Sequence, residues 1–236
     1  MKRWRSIWAP DPVDCMDPVA IFRSPFGGKF GIPRQSGLAE DVPGEVHLVG
    51  EYRQPDALRG VEDFDYIWLI WGFSANGTAP GSPWKATVRP PRLGGNQRLG
   101  VFATRSPFRP NPLGLSSVRL ERVDVEKMIL YVRGADLMDG TPIYDIKPYL
   151  AYTDAHPGAK GGFTDTTSWR ELTVVVPDAY AGAFQPEEWL SLRQVLALDP
   201  RPRYQDDPDK EYGLTFAGRN VRFRVGDGVL TVTAVD

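Results

Sequence analysis

The sequence predicts a mainly β protein, a closed or nearly closed β-barrel followed by a smaller C-terminal α+β domain. Three observations lead there. The chain has 24 Gly and 22 Pro among its 236 residues, a turn-rich balance that favours short strands over a helical bundle. Short apolar and β-branched runs follow one another through the first 150 residues with few helical patterns between them, which disfavours a doubly wound α/β sheet. A clear helical pattern and a strong hairpin signal arrive only near the C-terminus.

Taken in order, residues 19–22 and 44–50 are short strand candidates. Residues 64–73, FDYIWLIWGF, form a nearly continuous apolar and aromatic run of the kind a strand buried on both faces carries. Residues 99–104, 113–120 and 128–134 add three more strands, separated by Gly, Pro and Asp. From Pro186 the pattern changes. Residues 187–198 begin with Glu187 and Glu188 and continue with spaced apolar residues, so they are expected to form a helix that Asp199-Pro200 stops. Residues 220–225 and 229–235 flank Gly226-Asp227-Gly228, a hairpin signal. The expected division is a barrel domain over 1–170 and a small α+β domain over 171–236.

Composition narrows the function. A net charge of -2 excludes a chain coated in basic residues, so any nucleic-acid surface has to be a local patch. Cys15 is the only cysteine, which excludes an intrachain disulfide and an iron–sulfur centre. His47 and His156 are the only histidines and lie far apart, which argues against a His/Cys metal site. The longest apolar run is too short to span a membrane, and the basic N-terminus lacks the apolar core of a signal peptide. A cytoplasmic protein with no metal and no membrane partner is the expectation.

The local patch exists. Lys85, Arg89, Arg92, Arg98, Arg105, Arg109 and Arg119 fall in one span that holds no Asp or Glu, a local positive field suited to phosphates or RNA. On charge alone such a run is more often a solvated face whose acidic partners come from elsewhere in the chain. Its arrangement is more specific. Arg92-Leu93-Gly94-Gly95-Asn96 and the stretch from Arg105 to Gly114, with Arg109 and Asn111 inside it, set cations between rigid prolines and permissive glycines. Loops built this way present fixed donors to a ligand.

Three further segments are similarly framed. Ser24 to Gln35 is rich in Gly and Pro but lacks the spacing of a P-loop. Asp136-Leu137-Met138-Asp139-Gly140-Thr141-Pro142 gathers two carboxylates at a turn. Asp145, Lys147 and Tyr149 alternate, so a strand would place all three on one face. Each segment alone reads equally as a turn or a satisfied ion pair; together with the arginine loops they point to one shared site.

These segments resemble the TsaA/TrmO-like family of tRNA adenine N6-methyltransferases. The likeness rests on Ser24-Pro25-Phe26, Lys29-Phe30, Pro33-Arg34-Gln35, the stretches 89–96 and 100–114, Asp139-Gly140-Thr141-Pro142 and Asp145-Ile146-Lys147-Pro148-Tyr149. It covers about residues 19–152, and more loosely Asp199-Pro200-Arg201-Pro202 and 220–224. The resemblance implies an eight-stranded antiparallel β-barrel that binds S-adenosylmethionine, and a homodimer. It also implies N6-methylation of N6-threonylcarbamoyladenosine beside the anticodon of a threonine tRNA. The family often has Ser-His where this chain has Asp65-Tyr66, and His where it has Ser74.

On that resemblance, Pro33, Arg34, Gln35, Phe73, Ser74, Arg105, Leu115 and the turn Asp136, Leu137, Met138, Asp139, Gly140, Thr141 are expected to line the cofactor. Asp139, Asp145 and Tyr149 are the candidates for proton handling. Arg89, Arg92, Arg98, Arg109, Asn111 and Lys147 are candidates for RNA phosphate or a substrate carboxylate, for which a guanidinium fork is well matched. Arg222 and Arg224 alternate with Val221, Phe223 and Val225, so they either extend the RNA track or form an ordinary solvated strand face. Two rival functions stay open at this point, a non-catalytic RNA- or nucleotide-binding barrel and a methyltransferase of another substrate.

Overall fold

A computed structural model describes residues 16–73, 84–90, 97–166, 170–201 and 207–236; Ser74 and Arg92 lie outside the described residues. The strands are β1 (Ala20–Arg23), β2 (Pro43–Leu48), β3 (Tyr66–Gly72), β4 (Thr87–Val88), β5 (Leu99–Gly100) and β6 (Leu113–Asp124). They continue with β7 (Ile129–Arg133), β8 (Pro142–Pro148), β9 (Thr173–Val175), β10 (Tyr212–Phe216), β11 (Arg219–Gly226) and β12 (Val229–Val235). The α-helices are a single turn, α1 (Ala151–Asp154), and α2 (Pro186–Ala197).

β1, β2, β7, β6, β3 and β8 close into a barrel in that order, every adjacent pair antiparallel. Among the described residues the barrel therefore closes with six strands, against the eight expected. β4 and β5 are two residues each and pair only with one another. Their shortness has local causes. Pro90 follows β4 and cannot donate to a ladder. Residues 101–103 after β5 tighten into a 3₁₀ turn, closed by the Thr104 N–H on the Val101 carbonyl at 3.1 Å. The strand expected over 99–104 is thus two residues of strand and a turn.

Alternation fills the barrel. Ile67, Leu69 and Trp71 of β3, Val118 of β6, Leu130 and Val132 of β7 and Ile143 of β8 point inward and are buried. A second core sits under the four-stranded sheet β10-β11-β12-β9, whose last pair is parallel. There Leu192, Val195 and Leu196 of α2 meet Phe216, Val221, Phe223 and Leu230. Pro186 at the first helical position and a reciprocal capping box between Gln185 and Glu188 start α2. The β11–β12 hairpin turns on Asp227 and Gly228, at φ 49° and 77°, the left-handed pair a tight hairpin requires. Phe26, Ala39 and Val42, from the segment between β1 and β2, also belong to this second core, so the early chain is buried against the late one.

Candidate active site

Trp71 faces Gly114 across the β3–β6 ladder. A Cβ at Gly114 would sit 2.2 Å from the indole, so only glycine lets the ring lie flat there. Its Nε1–H donates to Ser116 Oγ at 2.9 Å, and that hydroxyl donates to Asp136 Oδ1 at 2.5 Å. Ser116 is a polar side chain on the inward face of β6, 1% exposed, and its two bonds satisfy it. Burial pushes the Asp136 carboxyl above its ordinary value; the Ser116 hydroxyl, its own N–H, the Arg105 guanidinium and the Ser36 N–H pull against that without cancelling it.

That direction carries a stability prediction. A carboxyl whose folded value is raised contributes stability that is complete below its unfolded value, and loses it as pH rises through the folded value. Asp136→Asn stays neutral throughout. Denaturant midpoints measured against pH should therefore show wild type losing ground to the variant as pH climbs above the ordinary aspartate value of about 3.9. Two parallel curves would mean that Asp136 ionises at no cost.

Three remote segments meet beside this carboxylate. Arg105 Nη1 donates to Gln35 Oε1, and Gln35 Nε2 donates to the Arg34 carbonyl. Pro33 is buried and fixes the loop behind them. The Arg34 guanidinium reaches the Arg201 carbonyl at 3.4 Å, and the 29–34 loop borders a cavity of about 210 Å³ together with Val195, Leu198 and Pro200. The C-terminal half therefore braces the loop that carries Gln35.

The turn at 136–141 explains the Ser24-Pro25-Phe26 motif. Asp139 donates its N–H to the Phe26 carbonyl at 3.0 Å. Its Oδ1 accepts the Ser24 N–H at 3.2 Å, and its Oδ2 lies 3.4 Å from Arg23. Leu137 is buried in the barrel core, and Thr141 Oγ1 donates to the Met138 carbonyl at 2.7 Å. The Gly140 N–H donates to the Phe22 carbonyl at 2.8 Å. Asp139 is thus committed to holding the end of β1. Phe73 stacks edge-on against Trp71, centroids 4.4 Å apart.

The outer face of the barrel carries the remaining carboxylate. Leu115, Ile70 and Asp145 form one cross-strand row over β6, β3 and β8. Leu115 is 57% exposed, and Asp145 pairs with Lys147 at 2.8 Å. Tyr149 shares the face but lies four residues further, about 13 Å at the rise of a strand. Its ring packs on Trp68 and Tyr66 at 5.6 and 6.1 Å. The alternation that suggested a single Asp-Lys-Tyr constellation is present, but its ends are separated.

Of the cations, Lys85, Arg89, Arg98 and Arg105 are exposed and Arg109 is half-buried. No described carboxylate lies within 4.0 Å of any of the five. Arg109 braces its own loop through the Thr104 carbonyl at 3.2 Å, and Asn111 is exposed beside it. The C-terminal pair behaves differently. Arg222 is compensated by Asp236 at 3.1 Å and Glu211 at 3.5 Å, while Arg224 is exposed opposite Thr231. The residues that sequence reasoning did not single out are Ser116 and Trp71. The signal for Ser116 was a lone hydroxyl on the apolar side of an alternating strand. Among the described residues no group of three or more His, Cys, Asp and Glu could hold a metal, and no helix is long and apolar enough to cross a membrane.

Comparison with known proteins finds relatives in sequence and fold. The family model of the tRNA-methyltransferase O N-terminal domain matches residues 21–155, and that of the TrmO C-terminal domain matches 184–236. A tRNA (adenine(37)-N6)-methyltransferase of Escherichia coli (strain K12) is 41% identical over 230 residues, 93% of this chain and 97% of that protein. One of the same name from Eikenella corrodens is 45% identical over 73% of this chain and 97% of its own length. The crystal structure of TrmO from Pseudomonas aeruginosa superposes with a TM-score of 0.74 at 31% identity, covering 94% of this chain and 98% of that one.

Proposed function

The chain belongs to the tRNA-methyltransferase O family, and from that premise we infer how its residues divide the work of methylating N6 of adenine 37 in tRNA. It is an S-adenosylmethionine-dependent enzyme, which sets aside the reading as a non-catalytic binding barrel. The finer substrate is N6-threonylcarbamoyladenosine in a threonine tRNA, and the working assembly is a homodimer in the cytoplasm, where tRNA is found. The carbamoyl group makes the N6–H ureido-like and more acidic than a plain amine, which eases deprotonation.

The observation that carries the site is the convergence of Gln35, Arg105 and Asp136 at one place. Its donor set fits S-adenosylmethionine. A guanidinium suits the cofactor's carboxylate, and Asp136 supplies negative charge for its cationic groups. Phe73 and Leu115 offer apolar surface to its adenine ring. We assign Pro33, Arg34, Gln35, Arg105 and the turn from Asp136 to Thr141 to holding it.

When bound, S-adenosylmethionine supplies an electrophilic methyl group. The chain's own residues then have two tasks, alignment and proton removal. Asp145 is the better placed carboxylate for the second. It sits in the same row as Leu115, and its partners are its own strand neighbours, the Ile146 N–H at 2.9 Å and Lys147 at 2.8 Å, whereas Asp139 ties Ser24 and Arg23 of another segment and Tyr149 is about 13 Å along the strand. Lys147 beside Asp145 orients it.

Calorimetry on EDTA-treated protein tests the cofactor half of this reading. Saturable, metal-independent binding of S-adenosylmethionine near one per chain is expected. No heat and no thermal shift at millimolar ligand would remove it.

A further inference from the structure

The β4–β5 ribbon presents large apolar rings to water beside charge that no described carboxylate offsets. Trp84 is 54% exposed and Phe102 is 74% exposed, and their rings lie side by side with centroids 6.1 Å apart and planes at 35°. The pairing is held from below, since the Val101 N–H donates to the Ala86 carbonyl at 2.9 Å just beyond the Thr87↔Gly100 register pair. Phe108, on the following loop, is 58% exposed. Lys85 adjoins Trp84, and Arg89, just after β4, and Arg98, just before β5, flank the Val88↔Leu99 pair. Like charges so placed destabilise a ribbon, and no described carboxylate pairs with any of the three.

We propose that the Trp84–Phe102 pair is a stacking platform for an unpaired base of the RNA substrate, with Lys85, Arg89 and Arg98 taking the phosphates beside it. The inference rests on the tRNA-methylating reading and deepens it. An enzyme acting on the N6 of an adenine needs that base and its neighbours out of the stack. A displaced base that loses its stacking partner recovers the interaction on an aromatic face. Rings next to fixed cations are the arrangement that serves single-stranded nucleic acid. Charge decides against a second copy of this chain as the occupant. A two-fold interface centred on the ribbon would set its cations against those of the copy.

The test is a salt series of binding to an unmodified tRNA transcript, read by fluorescence anisotropy. Trp84→Ala and Phe102→Ala should each weaken affinity on the order of tenfold, the scale of one lost stacked base, and leave the salt slope unchanged. Trp84→Phe should keep most of the affinity. Lys85→Ala and Arg98→Ala should each lower the slope by close to one, the signature of a lost phosphate contact. S-adenosylhomocysteine binding and the light-scattering mass should be unaltered in every variant, which separates a lost platform from a lost fold. A Trp84→Ala/Phe102→Ala double variant that binds the transcript within about twofold of wild type at every salt overturns the proposal. So does a change in scattering mass, which would assign the pair to a protein interface. A wild-type protein that neither binds nor methylates tRNA would instead overturn the reading beneath it.

Discussion

Arg105→Ala is expected to weaken S-adenosylmethionine binding by about a hundredfold while leaving the fold in place. The guanidinium is exposed, so its loss removes little packing, and a surface substitution of that kind shifts stability by about 0.5 kcal/mol or less. What it holds is the site. Gln35 loses the donor that orients its amide, and Asp136 loses one of the positive influences that oppose its burial. The cofactor's carboxylate loses a charge-assisted fork of about 1.5–3 kcal/mol. Arg105→Lys restores the charge without the fork and should recover only part of the affinity. Calorimetry with S-adenosylhomocysteine decides it, and an alanine variant that binds like wild type would place the cofactor elsewhere.

Asp145→Asn should lower kcat by about a hundredfold or more, the usual scale for loss of a general base, with cofactor affinity unchanged. Asp139→Asn should behave differently, because its carboxylate joins Ser24 and Arg23 to the turn before β8. Its effect should appear first as a lower unfolding midpoint, with activity per folded molecule largely kept. The pair of variants therefore separates a chemical role from a clamp. Should Asp139→Asn lose turnover with its midpoint intact, the two assignments exchange places. If neither variant loses turnover, the proton leaves to solvent.

Much of the fold was legible locally. The run at 64–73 became β3, the segment after Pro186 became α2, and Gly226-Asp227-Gly228 became the β11–β12 turn, because strand burial, helix capping and hairpin geometry are all short-range. The rest depended on partners remote in sequence. β9 is a three-residue strand that exists only by pairing in parallel with β12. β10 alternates Tyr212, Leu214 and Phe216 inward, but the acidic and lysine-bearing stretch before it masked the pattern. Nothing near Phe26 announces that it fills the core under α2.

The site divides in the same way. The motifs that marked Gln35, Arg105 and Asp136 are contiguous text, whereas the Trp71–Ser116–Asp136 chain and the Asp139 clamp join residues that only the closed barrel brings together. Arg222, read as either RNA track or solvated strand face, meets Glu211 and Asp236, which lie just before β10 and just after β12 and become its partners only in the folded sheet.

This chain moves a methyl group from S-adenosylmethionine onto N6 of adenine 37 in tRNA. Mass spectrometry of tRNA nucleosides tests it most directly, using tRNA from a strain lacking the gene, incubated with purified protein and isotopically labelled S-adenosylmethionine. A labelled nucleoside one methyl heavier than N6-threonylcarbamoyladenosine is expected, formed in threonine tRNA and absent when the protein is left out. Label recovered on another nucleoside, or no label on any nucleoside while the protein binds the cofactor, would contradict it.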